Sequence, residues 1–219
     1  MLQKETIQFL AGIAKNNKKQ WFEKHKDDYK AAKADCEMLA ADLITRISAF
    51  EPRYMHVSPP ETMFRIYRDV RFSKDKTPYK THIGIVIGPR GRKSTDACYY
   101  LHIQPGNNFI IAGHYSPSSQ QLANIRGAIV NNASELRALL KKKSVKDNFG
   151  ALHGEQLKTA PRGYEKDHPE IDLLRYKQFM LMAHLPDSLM TSKDLSKTVI
   201  SLFKKMKPLN DYLNTVAGP

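Results

Sequence analysis

Cysteine is almost absent from this 219-residue sequence, which contains only Cys36 and Cys98. The two lie far apart and form no CxxC pair, which excludes a disulfide framework and a zinc-finger ligand set. There is also no apolar run of about 18 residues, so no segment is expected to span a membrane. The N-terminus is charged within five residues and has no apolar run of signal-peptide length, and both thiols are expected to be reduced. The sequence therefore predicts a cytoplasmic protein.

Negative charge is scarce as well. The chain has 22 Asp and Glu against 35 Lys and Arg, a formal net charge of +13. Such a surplus favours acidic partners such as phosphates or nucleic acid, but it identifies no reaction. At 41% hydrophobic and 26% charged, the composition excludes collagen-like and mostly disordered chains. The length suffices for a sizeable core, and we expect residues 1–219 to form a single domain.

The common catalytic and nucleic-acid-binding motifs are missing too. The sequence has no Walker A loop, no GxGxxG after a strand, no GxSxG elbow and no HExxH pair. It also lacks helix-turn-helix, zinc-finger and aromatic RNA-recognition signatures. The familiar nucleotide, esterase and zinc-protease mechanisms therefore lose most of their support, and the residues indicate no particular cofactor, metal or oligomeric state.

The first positive feature of the sequence is a strong helical pattern over residues 1–57. Two helices are predicted, joined by a polar turn at 15–19, so that the segment forms a long helical hairpin. In the second helix an apolar or aromatic residue recurs every seven positions, at Phe22, Tyr29, Cys36, Leu43 and Phe50. This stripe is most simply a core face, and a coiled-coil dimer is the alternative. Pro52 is expected to end the helix.

Residues 58–116 change to a period of two, which is typical of strands. Four strands are predicted, at 62–70, 81–88, 98–104 and 108–115. The turn Pro105-Gly106-Asn107 is short enough to join the last two in an antiparallel hairpin.

Residues 117–219 are predicted to form a helical layer. Its helices are expected at 118–142, beginning at Ser118 or Ser119, at 168–184 and at 193–215, with a short hairpin over 148–160. The predicted fold class is therefore α+β: a mainly antiparallel sheet of four to six strands covered by helices.

The densest unusual segment is 64–82, with six Lys or Arg and two Asp. Alternation along the predicted strands assigns each a core side and a polar side. If the polar sides coincide, one face of the sheet gathers Arg65, Tyr67, Asp69, His82, Tyr100, His102, Gln104 and His114, with Gly84 and Ala112 leaving room beside them. A shift of one residue in the register of any strand would move its set to the other face.

Such a face suggests two kinds of chemistry. Arg and Lys side chains bind phosphates or carboxylates, and the candidate ligand-binding residues are Arg65, Tyr67, Arg68, Lys74, Lys76, Lys80 and Arg162. A histidine near a carboxylate can transfer protons, and the candidate catalytic residues are Asp69, His82 and His102. Hydrogen-bonded structural histidines are the alternative. A three-histidine metal site has little support, because no His-x-His pair is present.

A second patch covers residues 161–170. Asp167, Pro169 and Glu170 have the spacing of a helix start with a capping box. Arg162, Tyr164 and His168, with Arg175 and Lys177 further on, are candidates to close over the sheet site.

Two other functional classes remain open. The aromatic residues Tyr67, Phe72 and Tyr79 beside the basic loop suit stacking on nucleic-acid bases, although the same rings suit core packing. The Arg and Asp residues of the loop can also simply pair with one another, as in a structural or interaction protein. The leading hypothesis is an anionic small-molecule ligand, with enzymatic activity undecided.

Three motifs resemble those of a widespread family of conserved bacterial and fungal proteins of unknown function. They are FRIYRDVRFSKDKTPYKTH at 64–82, YYLHIQPG at 99–106, and PRGY at 161–164 followed by DHP at 167–169. The resemblance covers nearly the whole chain, although His114 stands where the family favours an apolar residue. It implies one α+β domain, and it implies as family hallmarks Arg65, Arg68, Asp69, Lys74, Asp75, Lys76, Tyr79, Lys80 and His82. It carries no established reaction.

Overall fold

A computed structural model describes residues 1–218. It confirms the α+β class, with helices around one antiparallel sheet. The helices within these residues are α1 (Lys4–Lys15), α2 (Lys19–Lys24), α3 (Lys26–Ser48), α4 (Ser119–Asn132), α5 (Ser134–Lys141), α6 (Lys143–Phe149), α7 (Ile171–Leu174), α8 (Asp187–Met190) and α9 (Leu195–Ala217). The strands are β1 (Ile83–Ile87), β2 (Cys98–Ile103), β3 (Asn108–His114) and β4 (Phe179–Leu185). None of the helices in this range is both long enough and apolar enough to cross a bilayer.

The sheet has the strand order β1-β2-β3-β4. The predicted hairpin between β2 and β3 is confirmed: Gly106 has φ +79°, and Asn107 donates its backbone N–H to the Gln104 carbonyl at 2.8 Å. The Asp187 carboxylate, at the start of α8, accepts the Gly106 N–H at 2.9 Å and the Asn108 amide at 2.6 Å. A left-handed glycine and a carboxylate from another element therefore fix this turn.

One face of the sheet is the core. Its side chains are aliphatic or aromatic and almost entirely buried: Ile83, Ile85, Ile87, Tyr99, Leu101, Ile103, Ile110 and Ala112. This alternation follows from the two-residue period of a strand, because every second side chain points to the same side. The opposite face of β1 to β3 is only partly covered, and it carries the candidate site.

The described chain forms two compact units. The first comprises Met1–Lys93, Tyr100–Ile110 and His184–Ile200. Here α3 packs against α1 and β1, as expected for the N-terminal helical hairpin. The buried Asp35 carboxylate accepts the Thr6 hydroxyl at 2.6 Å and the Gln3 N–H at 2.8 Å, so that it ties the start of α1 to α3.

The second unit comprises Ser94–Tyr99, Ile111–Ala183 and the chain from Ser201 onward. The predicted start of its first helix is confirmed, because Ser118 and Gln121 form a capping box at the start of α4. Arg126 donates to the Leu174 carbonyl at 2.9 Å, and Tyr99 packs on Phe203 with ring centroids 4.7 Å apart. Side chains from α4 and α9 thus connect the elements of this unit.

Two predicted helices are interrupted. The second N-terminal helix breaks at His25, whose Nδ1 lies 2.8 Å from the Trp21 carbonyl oxygen while its ring stacks on the Trp21 ring at 3.9 Å. The helix predicted over 118–142 breaks at Ala133, since the Asn132 side chain accepts the Ser134 N–H at 3.0 Å. In both places a polar side chain bonds to nearby backbone and competes with the helical ladder.

Three other predictions are wrong. Residues 62–70 form no strand and pair only at isolated bridges, Met63 with Ile85 and Tyr67 with Tyr79. The helix predicted over 168–184 is the short α7 followed by β4. The hairpin predicted over 148–160 is absent from the described chain, because His153 bridges to Met180 instead.

Candidate functional site

The partly open face of the sheet carries a cluster of rings. The rings of His82, which precedes β1, and His102 on β2 lie 4.3 Å apart between centroids. His102 in turn stacks on Phe109 of β3 at 4.3 Å with an interplanar angle of 8°. His184 of β4 meets Phe109 edge-on at 6.2 Å. The sheet therefore brings together two of the predicted catalytic residues, His82 and His102.

A chain of hydrogen bonds runs through His102. The Tyr100 hydroxyl lies 2.8 Å from Nδ1, and the side-chain oxygen of Gln104 lies 2.9 Å from Nε2. The Gln104 amide nitrogen then donates to the Thr81 hydroxyl at 3.5 Å. This arrangement fits a neutral imidazole with its proton on Nε2, so that Nδ1 accepts the proton of the Tyr100 hydroxyl. Tyr100 and Gln104 alternate with His102 on the predicted polar face, as the sequence indicates.

Gly84 on β1 makes room for this chain. A Cβ atom at that position would lie 2.6 Å from the Tyr100 hydroxyl oxygen and 2.8 Å from Cε2 of the same ring. Any larger residue would displace the ring that donates to His102. The small residue predicted to leave space beside the polar set therefore does so for Tyr100.

Burial keeps both histidines neutral. It lowers the pKa of His82 to about 4, and His102 and Lys80 add to the shift by electrostatic repulsion. Burial also lowers the pKa of His102, against a smaller opposing effect of the hydrogen bond with Gln104. At neutral pH the pair is uncharged. Because Tyr100 and Gln104 occupy both ring nitrogens of His102, His82 is the member of the pair that could meet a ligand.

Lys80 is a charged group that acts on His82. Burial and then the neighbouring Arg65 lower the pKa of its ammonium group. Its Nζ lies 4.9 Å from the centre of the Phe64 ring. Over residues 1–218, the side-chain interactions of Lys80 are with Phe64, Arg65 and His82, with no carboxylate among them. A half-buried cation thus stands beside a guanidinium and an imidazole.

Asp69 does not join the histidines. Its carboxylate binds Arg71 at 2.6 Å, and the effects on its pKa come from Arg71, burial and Arg65. The predicted partnership of Asp69 with His82 or His102 is therefore replaced by an exposed ion pair. The cause is that residues 62–70 form no strand, so alternation does not set the direction of this side chain.

Arg68 is occupied by its own loop. It donates to the Asp75 carboxylate at 2.6 Å, to the carbonyl and hydroxyl of Thr77, and to Ser73 at 3.4 Å. Lys76 donates to the Val70 carbonyl at 3.0 Å. These bonds brace residues 68–77, which we call the basic loop. They match the alternative in which Arg and Asp of the loop pair with each other.

The other predicted ligand-binding residues are dispersed. Tyr67 packs against Phe22 and Tyr79 and stays 47% exposed, while Lys74 is exposed on the basic loop. Arg162 lies exposed in the second unit. Neither Tyr67 nor Lys74 contacts the histidine pair within the described chain.

The prediction for β3 is wrong. Stacking on His102 places Phe109 on the partly open face, so Ala112 and His114 lie on the buried side instead. His114 is 2% exposed and lies in the second unit. Burial lowers its pKa, against smaller opposing effects of Asp96 and Gln121. No group of three His, Cys, Asp or Glu in residues 1–218 could hold a metal ion. The sequence signal for Phe109 was its position opposite His102 across a two-residue-period hairpin.

The predicted capping box at 167–170 is also wrong. Helix α7 begins at Ile171, and Glu170 instead bonds Arg137 at 2.6 Å while its N–H is accepted by His168. Of the residues expected to close over the site, Arg175 donates to the Leu157 carbonyl and Lys177 pairs with Glu155 at 2.7 Å. Both are engaged within their own unit.

Comparison with known proteins gives one match. A family model described as "Conserved hypothetical protein (DUF2461)" matches residues 5–212. No curated protein matches the chain. No solved structure matches it either.

Proposed function

This chain belongs to the DUF2461 family of conserved hypothetical proteins, and from its geometry we propose that it binds a small anion at Lys80. The ligand class is a molecule with a phosphate or carboxylate group. The binding residues are Lys80 and Arg65, and the neutral His82 ring supplies a donor beside them. Tyr100 and Gln104 hold the adjacent His102 ring in place.

The observation that carries this proposal is the environment of the Lys80 ammonium group. Its pKa is lowered by burial and by Arg65, and Lys80 in turn lowers the pKa of His82. Burying a cation beside other cations costs free energy unless a negative charge compensates it. A cluster of mutually repelling groups with lowered pKa values is a recognised mark of a ligand site. A bound anion would remove the repulsion.

Each residue has a distinct role. Lys80 is a point charge fixed by its contact with Phe64, and Arg65 is an exposed planar fork able to make two parallel hydrogen bonds. The neutral His82 ring contributes an N–H donor, and its burial does not require a charge to be removed from water. Arg68, in contrast, is assigned to bracing the basic loop.

The same arrangement gives His82 a route to proton transfer. An anion beside the ring favours the protonated form, so it should raise the pKa of His82 from about 4 toward its ordinary value of 6.5. A base with a pKa near the working pH is the most effective proton acceptor and donor. The proposal therefore includes a proton-transfer role for His82 once an anion is bound.

The proposal also places the protein in the cytoplasm. Its support is the chemistry of the thiols: within the described residues neither Cys36 nor Cys98 is in a disulfide, and burial raises the pKa of Cys36 well above its usual range. Free cysteines are the ordinary state in a reducing compartment.

Thermal unfolding in the presence of small anions tests the binding site. We would titrate inorganic phosphate, pyrophosphate and citrate separately, each at low and high sodium chloride. A ligand at about 100 times its Kd stabilises the native state by about 2.7 kcal/mol, and roughly 5 to 10 °C in Tm is expected for a chain of this size. The shift should grow as the pH falls, because protonated His82 binds an anion better.

Two variants separate this site from general charge. Lys80→Gln should abolish the shift, whereas Lys193→Gln, which removes an exposed lysine of the same unit, should retain it. If no anion raises Tm, or if Lys80→Gln responds like the unaltered protein, Lys80 is not a binding residue.

A further inference from the structure

The basic loop holds a phenylalanine in water. Phe72 is 94% exposed, the most exposed of the large hydrophobic side chains in residues 1–218. The loop around it is braced by Arg68 at one end and by the bond from Lys76 to the Val70 carbonyl at the other. The ring is thus held in solvent by an ordered loop. Leaving so much apolar surface in water costs free energy, and the packing of the fold does not account for it.

Cations accompany the exposed rings of this segment. The Arg71 guanidinium carbon lies 5.8 Å from the centre of the Phe72 ring, and Lys80 lies 4.9 Å from that of Phe64. Phe64 and Tyr67 are each 47% exposed. Segment 64–76 carries five Arg or Lys against two Asp, a net +3. Both aspartates are already paired, Asp69 with Arg71 and Asp75 with Arg68.

From these observations we propose that the basic loop binds single-stranded nucleic acid. Phe72 stacks on an unpaired base, while Arg71 and Lys74 contact the neighbouring phosphates. This function is separate from anion binding at Lys80 and does not rest on it.

The chemistry favours a single strand over other partners. An aromatic ring flanked by cations matches the alternation of base and phosphate in nucleic acid. In a duplex the faces of the bases are stacked on one another, so a protruding ring finds no free face without unstacking them. A membrane surface would require a larger apolar area than one ring for stable binding.

The test is fluorescence anisotropy with labelled oligonucleotides of about 12 nucleotides, a length within the range of known single-strand sites. The probes are single-stranded oligo-U, single-stranded oligo-dT and a duplex of equal length, at salt concentrations between about 50 and 200 mM. Single strands should bind more tightly than the duplex, and binding should weaken with salt. Phe72→Ala should raise Kd at least about 5-fold, since stacking on one base is worth that much or more.

Further variants define the interaction. Phe72→Trp should restore or improve binding, because a larger ring stacks on more of the base. Lys74→Gln should reduce the slope of the logarithm of the binding constant against the logarithm of salt concentration by about one. Tyr115→Ala is the control, since it removes a 68% exposed ring of the second unit and should leave Kd unchanged. Because the Phe72 side chain is 94% exposed, its variants should unfold at the same Tm as the unaltered protein.

Three results would overturn the proposal. They are a Kd for Phe72→Ala within about twofold of the unaltered protein, equal affinity for the duplex, and no oligonucleotide binding at low salt. If vesicles containing phosphatidylserine bind in place of oligonucleotides, and Phe72→Ala abolishes that binding, the ring serves a membrane surface instead. Phe72→Ala should keep the Tm shift that inorganic phosphate produces, so failure here is distinguishable from failure of the anion site.

Discussion

The hydroxyl of Tyr100 occupies the space directly above Gly84, where a Cβ atom would lie only 2.6 Å away. The same hydroxyl reaches Nδ1 of His102 at 2.8 Å. The absence of a side chain at Gly84 on β1 is therefore what leaves room for the hydrogen bond between Tyr100 and His102 on β2. The position of the proton-accepting nitrogen of His102 depends on a glycine in the neighbouring strand.

Gly84→Ala should disturb the site more than the fold. The added methyl group displaces the Tyr100 ring, which breaks its hydrogen bond to His102 and costs about 1 kcal/mol of unfolding free energy. Urea denaturation measures the stability, and NMR titration of the His102 ring detects the lost partner. The control is Gly127→Ala in α4, where a Cβ would lie more than 4 Å from every described atom outside its own stretch of helix. That variant should be neutral or more stable by up to about 1 kcal/mol, as alanine favours helix. Equal behaviour of the two variants would contradict this account of Gly84.

The pH dependence of stability should report His82. Its pKa is about 4 in the folded protein against 6.5 for the exposed ring. Between these values the unfolded chain takes up a proton that the native state refuses, so stability is full above about pH 6.5 and falls as the pH drops toward 4. Because the ring is partly exposed, we expect a loss of roughly 1 to 2 kcal/mol across this window.

Urea unfolding at several pH values across that window measures the effect. In His82→Gln the slope should become shallower, whereas His56→Gln, which alters an exposed histidine, should keep the original slope. An unchanged slope in His82→Gln would place the titrating group elsewhere.

Arg68→Gln should loosen the basic loop without unfolding the protein. The variant loses the bonds to Asp75, Thr77 and Ser73, at a cost of about 1 kcal/mol because Arg68 is only 25% exposed. Trypsin should then cleave faster after Lys74 and Lys76. In the control Arg71→Gln, the lost ion pair is exposed and the cleavage rate should stay close to that of the unaltered protein. Cleavage at the original rate in Arg68→Gln would show that the brace does not hold the loop.

Arg137 should couple α5 to the start of α7. It binds Glu170 at 2.6 Å, and its hydrogen bond lowers the pKa of Asp172. A double-mutant cycle with Arg137→Gln and Glu170→Gln should give a coupling of about 0.5 to 1 kcal/mol, larger than the cycle with the more exposed Asp172. For Asp172, whose ordinary pKa is 3.8, stability is present above that value and lost as the pH falls through the lowered pKa.

The exposed pair Lys143 and Asp147 is the matched reference for this cycle. Its coupling should be close to zero. A coupling at Arg137 no larger than this reference would mean that the ion pairs contribute nothing measurable.

Hydrophobic periodicity predicted the elements that bury one apolar face in the core. The long N-terminal helices, the strands β1 to β3 and α9 all show their apolar faces in the sequence. Strand β4 does not. Its seven residues, FMLMAHL, contain no β-branched side chain and are mostly good helix formers, so only pairing within the sheet makes them a strand.

The site was predictable where strands set side-chain direction. His102, Tyr100 and Gln104 alternate on β2 and share a face as expected. Asp69 and Arg68 lie in irregular chain, where nothing in the local pattern says which way a side chain turns. The pairing of these two with Arg71 and Asp75 depends on how the basic loop folds back, and that information is not local.

The place of β4 has a consequence for how the chain acquires its structure over time. Strand β3 ends at His114, but its second neighbour begins only at Phe179, after helices α4 to α7. On the ribosome, one edge of β3 therefore stays unpaired until the whole intervening segment has been synthesised. Closing so long a loop is slow relative to hairpin formation, and an open edge of this kind attracts other strands. Nascent chains that end before Phe179 are accordingly the species in which chaperone binding or aggregation should concentrate.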